Sequence, residues 1–229
     1  MIQPPPPQVS VQTIGHEGSP LVIIDGFTGD VEAMKRAGYA AQYEQPGAGY
    51  PGIRAWVEPQ FLDIRRELMM QVVGRVFGIS RGISCELSCF SLVTTPPGDL
   101  VPLQRLPHYD RASSGRVIGV MHYLLGPESG GTAFYRQKRT GFEIITDDRV
   151  DTYLDAIAAD DREFGPPPPV YYYGSSERYE LIGEVEAQPD RMILYPGRLL
   201  HSGVIPAPES LSADPREGRL TVNLFLVGE

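Results

Sequence analysis

A chain of 229 residues fits one domain of ordinary to large size, and a composition 41% apolar and 21% charged is that of a globular protein, which excludes a disordered one. The formal net charge of −9, with no run of Lys or Arg, argues against wrapping a phosphate backbone, so no nucleic-acid partner is expected. No basic segment leads into an apolar one and no apolar run reaches about 18 residues, so neither a leader nor a membrane partner is expected and the protein reads as cytoplasmic.

In chain order, residues 1–20 begin with the run Pro4 to Pro7 and read as a Pro-rich N-terminal tail or edge segment, with a single folded domain over 21–229. Leu21 to Asp25 is a short apolar strand ending in a Gly-Phe-Thr-Gly turn, and Asp30 to Ala37 starts a short helix. Gln45 to Gly52 is a Gly- and Pro-rich loop. From Pro59 to Phe77 the residues Phe61, Ile64, Leu68, Val72 and Val76 recur at spacings of three and four, which predicts a helix. A second helix is expected over Asp147 to Asp160, with Val150, Tyr153, Leu154 and Ile157 on its apolar face and Thr146 or Asp147 as cap.

The rest reads as strands: Cys85 to Thr94, Arg116 to Leu125, Thr132 to Arg136, Arg191 to Tyr195 and Arg219 to Val227. Val170 to Tyr173 and Arg178 to Glu186 are expected to pair as a hairpin across residues 174–177. Pro166 to Pro169 forms a rigid connector before it. Helices early and strands late, with high Gly and Pro, predict an α+β fold with a double-sheet β core and helices packed on one outer face. Cys85 and Cys89 lie four apart on one strand, roughly 13 Å from each other, too far to bridge. They read as buried thiols.

The chemistry-bearing residues are few. In LPHYD, His108 and Asp110 are two apart, and in an extended segment they point the same way, so an imidazole and a carboxylate converge on one cation. A third ligand is needed, and the candidate is His201 in RMILYPGRLLHSG. Two His and one carboxylate on one face of an octahedron leave three positions open, an arrangement that suits iron(II) oxygenases. Taken alone, each piece recurs by chance, and a structural His201 stays open. Of the other two histidines, His16 sits in a solvated Gly-rich loop, and His122 reads as structural, at the back of the barrel.

From about Leu21 onward the chain resembles the prolyl-4-hydroxylase-like branch of the iron(II)/2-oxoglutarate-dependent dioxygenase superfamily, as an uncharacterised bacterial subgroup. The resemblance is carried in order by VIIDGF, by CFSLVTTPPGDLVPLQRLPHYD, by RVIGVMHYLLGPESGGTAFYRQ, by AQPDRMILYPGRLLHSGVIP and by GRLTVNLFL, with YPGIRA early. It implies a double-stranded β-helix (jelly-roll, cupin-like) oxygenase domain over 21–229. It implies iron(II) held by His108, Asp110 and His201, with 2-oxoglutarate as co-substrate and O2 as oxidant. Arg219 would pair with the distal carboxylate of 2-oxoglutarate, Tyr123 would donate its hydroxyl to the same group, and Thr221, sharing a face with Arg219, would assist. Each has an ordinary alternative: a strand-initiating surface residue, core packing and strand filling.

Arg219 stands 18 positions after His201, farther than in many relatives, and Arg216 in the inserted loop competes with it. Asp110 keeps the carboxylate that related halogenases replace, which implies hydroxylation. The implied activity is that of a hydroxylase acting on an amino acid, a peptide or a small metabolite. Arg105 and Arg111 flank the His-x-Asp segment and could meet an acidic group on a substrate or simply be solvated. Two other readings stand beside it: a cupin-type metal-binding β-barrel without 2-oxoglutarate chemistry, and a non-catalytic interaction module on the same fold. The pattern marks no self-complementary face, so it assigns no oligomeric state.

Overall fold

The computed structural model describes residues 5–47, 49–111 and 115–229. Among these residues, ten strands and three helices build an α+β fold with a double-stranded β-helix core. The strands, in chain order, are β1 (Gln8–Ile14), β2 (Ser19–Asp25), β3 (Gly52–Trp56), β4 (Ile83–Val93), β5 (Arg116–Tyr123), β6 (Gly131–Gln137), β7 (Tyr179–Glu186), β8 (Arg191–Pro196), β9 (His201–Val204) and β10 (Leu220–Gly228). The helices are α1 (Val31–Ala40), α2 (Arg66–Arg75) and α3 (Val150–Phe164). Seven strands form a large antiparallel sheet in the order β1-β2-β8-β5-β10-β4-β3, and three form a small one in the order β7-β6-β9. Among the described residues, no helix is long and apolar enough to cross a membrane.

Strand alternation decides what each face does. On the large sheet Val22, Ile24, Ile118, Val120, Met192, Leu194, Leu220, Val222 and Leu224 point outward, under α1 and α2. The alternate residues Leu21, Met121, Tyr123, Ile193 and Tyr195 point inward and meet Phe134 and Val185 of the small sheet. Ala133 and Tyr135 of β6 point the other way and pack with Tyr153 of α3. Helices α1 and α2 thus share one outer face, as expected, while α3 covers the small sheet.

Asp30 caps α1, its carboxylate accepting from the Ala33 amide at 3.0 Å. The stretch expected as one helix from Pro59 opens instead as a 3-10 segment, Pro59–Arg65. Three residues per turn shift the phase of the apolar face. Met69, Val72 and Val73 of α2 are buried and Ile64 is left 47% exposed. In α3, Ala156 takes the buried place expected of Leu154, which is half exposed. Thr146 precedes a 3-10 turn, and its side chain caps no backbone amide there.

Three further differences matter. Residues 8–14, read as tail, form the edge strand β1 paired with β2 along its whole length. The amides of His16 and Glu17 donate to the buried Glu143 carboxylate at 2.8 and 3.0 Å, so this loop is fastened to the domain, with the His16 side chain exposed. Met1 to Pro4 lie outside the described residues. The hairpin expected over Val170 to Glu186 does not form. β7 pairs with β6, and residues 170–173 are irregular, because Tyr172 packs on Tyr135 and Tyr179 and Tyr171 donates to the Thr95 carbonyl at 2.6 Å. Strand β3, inside no expected element, pairs with β4.

His122 points outward on β5, fully buried between Phe27 and Phe61, with Nε2 at 2.9 Å from Asp190 Oδ1. Asp190 also accepts from the amides of Thr28 and Gly29 and from the Thr28 hydroxyl. It clips the β7–β8 turn to the β2–α1 loop, a structural role for His122. The two cysteines are free thiols.

Candidate metal centre and its pocket

The segment carrying His108 and Asp110 is extended, and the backbone explains why these side chains meet His201. The His108 amide donates to the His201 carbonyl at 2.9 Å, and the His201 amide donates back to His108 at 2.8 Å. Each residue thus lies directly opposite the other, as in a hydrogen-bonded antiparallel pair. Two residues on, the Asp110 amide donates to the Gly197 carbonyl at 2.7 Å. Gly197 permits that approach: a Cβ there would sit 2.9 Å from Val117 and 3.2 Å from the Asp110 side chain.

The three side chains converge. The His108 and His201 ring centroids are 4.3 Å apart, His201 Nε2 lies 3.6 Å from Asp110 Oδ2, and one ligand atom from each of the three falls within 4.8 Å of the others. The His201 Nδ1–H donates to the Leu199 carbonyl at 2.7 Å, which fixes the tautomer and frees Nε2 as a ligand atom. Desolvation pushes both histidines down, to about 4, with His201 buried and His108 keeping an exposed edge, and the neighbouring imidazole of His201 adds to this for His108. Burial raises Asp110 to about 6, against the opposing pull of His108 and Arg54.

At neutral pH the cluster therefore offers two neutral imidazoles and one carboxylate. Asp110 Oδ2 is buried and has no hydrogen-bond partner. A buried, unpartnered carboxylate oxygen is costly unless a cation or donor meets it. The donor set fits a divalent metal ion at this point.

The other expected site residues share the inner face. Thr221 on β10 lies opposite Tyr123 on β5. The Tyr123 hydroxyl donates to Thr132 Oγ1 at 2.7 Å, and burial pushes it up to about 12, opposed by that hydrogen bond and by Arg219. Thr221 Oγ1 donates to Asn223 Oδ1 at 2.9 Å. Arg219 donates through Nε to the Ser129 carbonyl at 2.8 Å and through Nη2 to the Gly131 carbonyl at 2.9 Å. These bonds hold one edge of the guanidinium on backbone and leave Nη1 uncommitted among the described residues. Arg216 instead lies over the Tyr39 ring of α1.

Arg105 and Arg111 have partners elsewhere among the described residues. Arg105 donates to the carbonyls of Leu100 and Pro167, which ties its loop to the second Pro run. Arg111 makes a loose, exposed pair with Asp147 at 3.9 Å.

Two neighbours of the cluster were not singled out from the sequence. Tyr195 packs its ring 4.8 Å from His201, and burial, with the nearby Asp110 and Tyr123 adding to it, pushes its hydroxyl well above the usual range. It walls the metal cluster on the side of Tyr123. Arg54 on β3 acts electrostatically on both His108 and Asp110. The period-two run Ile53-Arg54-Ala55 places Arg54 on the face opposite two core-directed residues, a signal visible only once Gly52–Trp56 is taken as a strand.

A family model described as a family of unknown function, DUF6445, matches residues 5–226. No curated protein matches the sequence. Among solved structures, the chain is similar to the non-heme alpha-ketoglutarate-dependent epimerase SnoN from nogalamycin biosynthesis, with a TM-score of 0.50 and 16% identity over 91% of this chain and 78% of that one. It is also similar to HygX from Streptomyces hygroscopicus with nickel, 2-oxoglutarate and hygromycin B bound (TM-score 0.45, 13% identity, 91% and 82% covered). A third is the viral collagen prolyl hydroxylase vCPH from Paramecium Bursaria Chlorella virus-1 in its 2OG complex (TM-score 0.45, 12% identity, 91% and 96% covered). The likeness to the epimerase shows a shared fold.

Proposed function

The chain belongs to the DUF6445 family, and we propose that this member is an iron(II)- and 2-oxoglutarate-dependent oxygenase, a hydroxylase of an amino acid, a peptide or a small metabolite. The observation that carries the reading is the buried, unpartnered Oδ2 of Asp110 beside two neutral imidazoles, one of them locked with Nε2 free. Two histidines and a carboxylate suit iron(II) and leave coordination positions for a bidentate co-substrate and O2.

In this reading His108, Asp110 and His201 hold the metal. Arg219 receives the distal carboxylate of 2-oxoglutarate. Its anchored edge keeps the planar fork oriented, so little side-chain freedom is lost on binding. The Tyr123 hydroxyl, neutral at working pH, turns from Thr132 to donate to the same carboxylate, while Thr221 borders that position. Tyr195 and Leu199, both buried beside His201, shield that side of the site. When bound, the metal and 2-oxoglutarate supply the O2 chemistry that releases succinate and CO2 and hydroxylates the prime substrate. Retention of Asp110 favours hydroxylation over halogenation.

Succinate release tests this. Iron-loaded protein supplied with 2-oxoglutarate and O2 is expected to release succinate even without prime substrate, slowly, and His108→Ala or His201→Ala abolishes it. Wild-type protein that holds iron yet releases none would favour a cupin-type metal site.

A further inference from the structure

We infer that Arg54 is the recognition group for the prime substrate, and that the substrate carries a single carboxylate which docks on this guanidinium. The inference rests on the function proposed above and names the substrate class of the same pocket.

The first observation is register. Arg54 lies opposite Ser91 on β4, Ser91 opposite Thr221 on β10, and Thr221 opposite Tyr123 on β5. These four residues form one row across the inner face of the sheet. Neighbouring strands stand about 4.8 Å apart. Arg54 therefore starts about 10 Å from Thr221, two strands beyond the position given to 2-oxoglutarate. Arg54 is the one cation in this row, while Arg219, two residues before Thr221, keeps its guanidinium on the carbonyls of Ser129 and Gly131.

The second observation is an unmet donor. Arg54 Nε is buried without a hydrogen-bond partner, and no ion pair to Arg54 is found among the described residues. Other half-buried arginines have this atom bonded: Arg219 Nε donates to the Ser129 carbonyl, Arg191 Nε to Asp25 and Arg136 Nε to Glu143. A buried donor left open costs stability unless a ligand completes it.

Third, the group is held ready. Amide and carbonyl of Arg54 bond those of Glu44, both at 2.9 Å, and the guanidinium lies 4.0 Å over the Tyr50 ring. Stacking fixes the plane and leaves the edge N–H groups for a carboxylate in the fork geometry guanidinium prefers.

Charge selects the class. A divalent ion and the two arginines, set against Asp110 and the dianionic 2-oxoglutarate, leave one positive charge uncompensated. A monoanion balances it, and in a poorly solvated pocket such balance is a strong discriminator. A phosphate ester carries more charge than the pocket can balance.

The test uses the full chain loaded with nickel and 2-oxoglutarate without O2, and as probes the N-acetyl L-amino acids, each as the free acid and as its primary amide. Affinity is read by thermal shift. At least one acid is expected to bind about 10- to 100-fold more tightly than its amide, the range of a charge-assisted hydrogen bond. Arg54→Gln removes that preference, Arg54→Lys keeps part of it, and 2-oxoglutarate affinity stays within about threefold in both, on the same argument that Arg219 carries the co-substrate. The inference is overturned if no acid outbinds its amide. It is also overturned if Arg54→Gln weakens 2-oxoglutarate as much as Arg219→Gln does, because Arg54 then belongs to the co-substrate. Failure of the proposed function reads differently: wild-type protein fails to bind 2-oxoglutarate, while the acid-over-amide comparison still reports on Arg54.

Discussion

Gly119→Ala couples packing to the metal site in a single methyl group. Gly119 faces inward on β5, directly opposite Tyr195 on β8. A Cβ there would lie 2.7 and 2.8 Å from two ring carbons of Tyr195 and 3.1 Å from its hydroxyl oxygen. The ring has little room to yield, since it is 3% exposed and packs edge-on against Phe134 at 5.1 Å and His201 at 4.8 Å. Overpacking of this kind costs about 1–3 kcal/mol. For a domain of this length that lowers the Tm by about 2–12 °C. The displaced ring also presses on His201, so metal affinity falls in the same variant. Differential scanning calorimetry and metal titration read the two effects, and Gly119→Ala/Tyr195→Leu restores part of both, as a non-additive pair of contacting residues does. A Gly119→Ala protein that melts within a degree of wild type and binds metal equally well would refute the argument, as would strict additivity in the double variant.

Three other outcomes follow from the same coordinates. Burial raises the Asp110 carboxyl from its ordinary value to about 6, so the ionised group costs stability in the metal-free protein above pH 6, a cost that fades as pH falls toward 3.8. Asp110→Asn is therefore expected to melt no lower than wild type without metal at pH 7.5. It loses the rise of about 5–11 °C that metal at about 100 times its Kd gives wild type; a variant that keeps the rise contradicts the ligand assignment. Because both histidines are neutral well below pH 6 and Asp110 must ionise to bind, metal Kd should be flat above about pH 7 and worsen by about tenfold per unit below pH 6, whereas a flat Kd from pH 5 to 7 by calorimetric titration would break this chain of reasoning. Asp190→Ala strips the buried acceptor shared by Thr28, Gly29 and His122 and should cost about 3–5 kcal/mol while leaving metal affinity unchanged, since His122 points to the opposite face of the sheet.

The pairing of His108 with Asp110 was legible because its signal is local, whereas His201 entered the ligand set through the family resemblance. His108 and Asp110 share a face by the period of an extended chain, and the strand leading to His201 is apolar enough to recognise. The edge strands were harder. β1 is exposed along nearly its whole length and β3 is short and Gly-led, so neither shows the buried alternation that marks a strand. Arg54 was hidden for the same reason: its place on the inner face depends on β3 pairing with β4, a contact between residues about forty positions apart in the chain. The expected hairpin over Val170 to Glu186 failed because three consecutive tyrosines suit a strand by propensity, while Tyr171 and Tyr172 find partners in Thr95, Tyr135 and Ser176. Tertiary contacts overrode local preference there. The helix at Pro59 kept its place and lost its phase, because a 3-10 opening turn has a period the sequence pattern does not announce.

The central claim is that three side chains far apart in sequence hold one ferrous ion with positions left for 2-oxoglutarate. Anaerobic titration of 2-oxoglutarate into iron(II)-loaded protein, followed by visible absorption, tests it most directly. A charge-transfer band that saturates with one equivalent, disappears in His201→Ala and needs far more co-substrate in Arg219→Gln is the predicted result. A protein that binds iron(II) tightly yet shows no such band at saturating 2-oxoglutarate, or that binds iron equally well without His108 and His201, would contradict it.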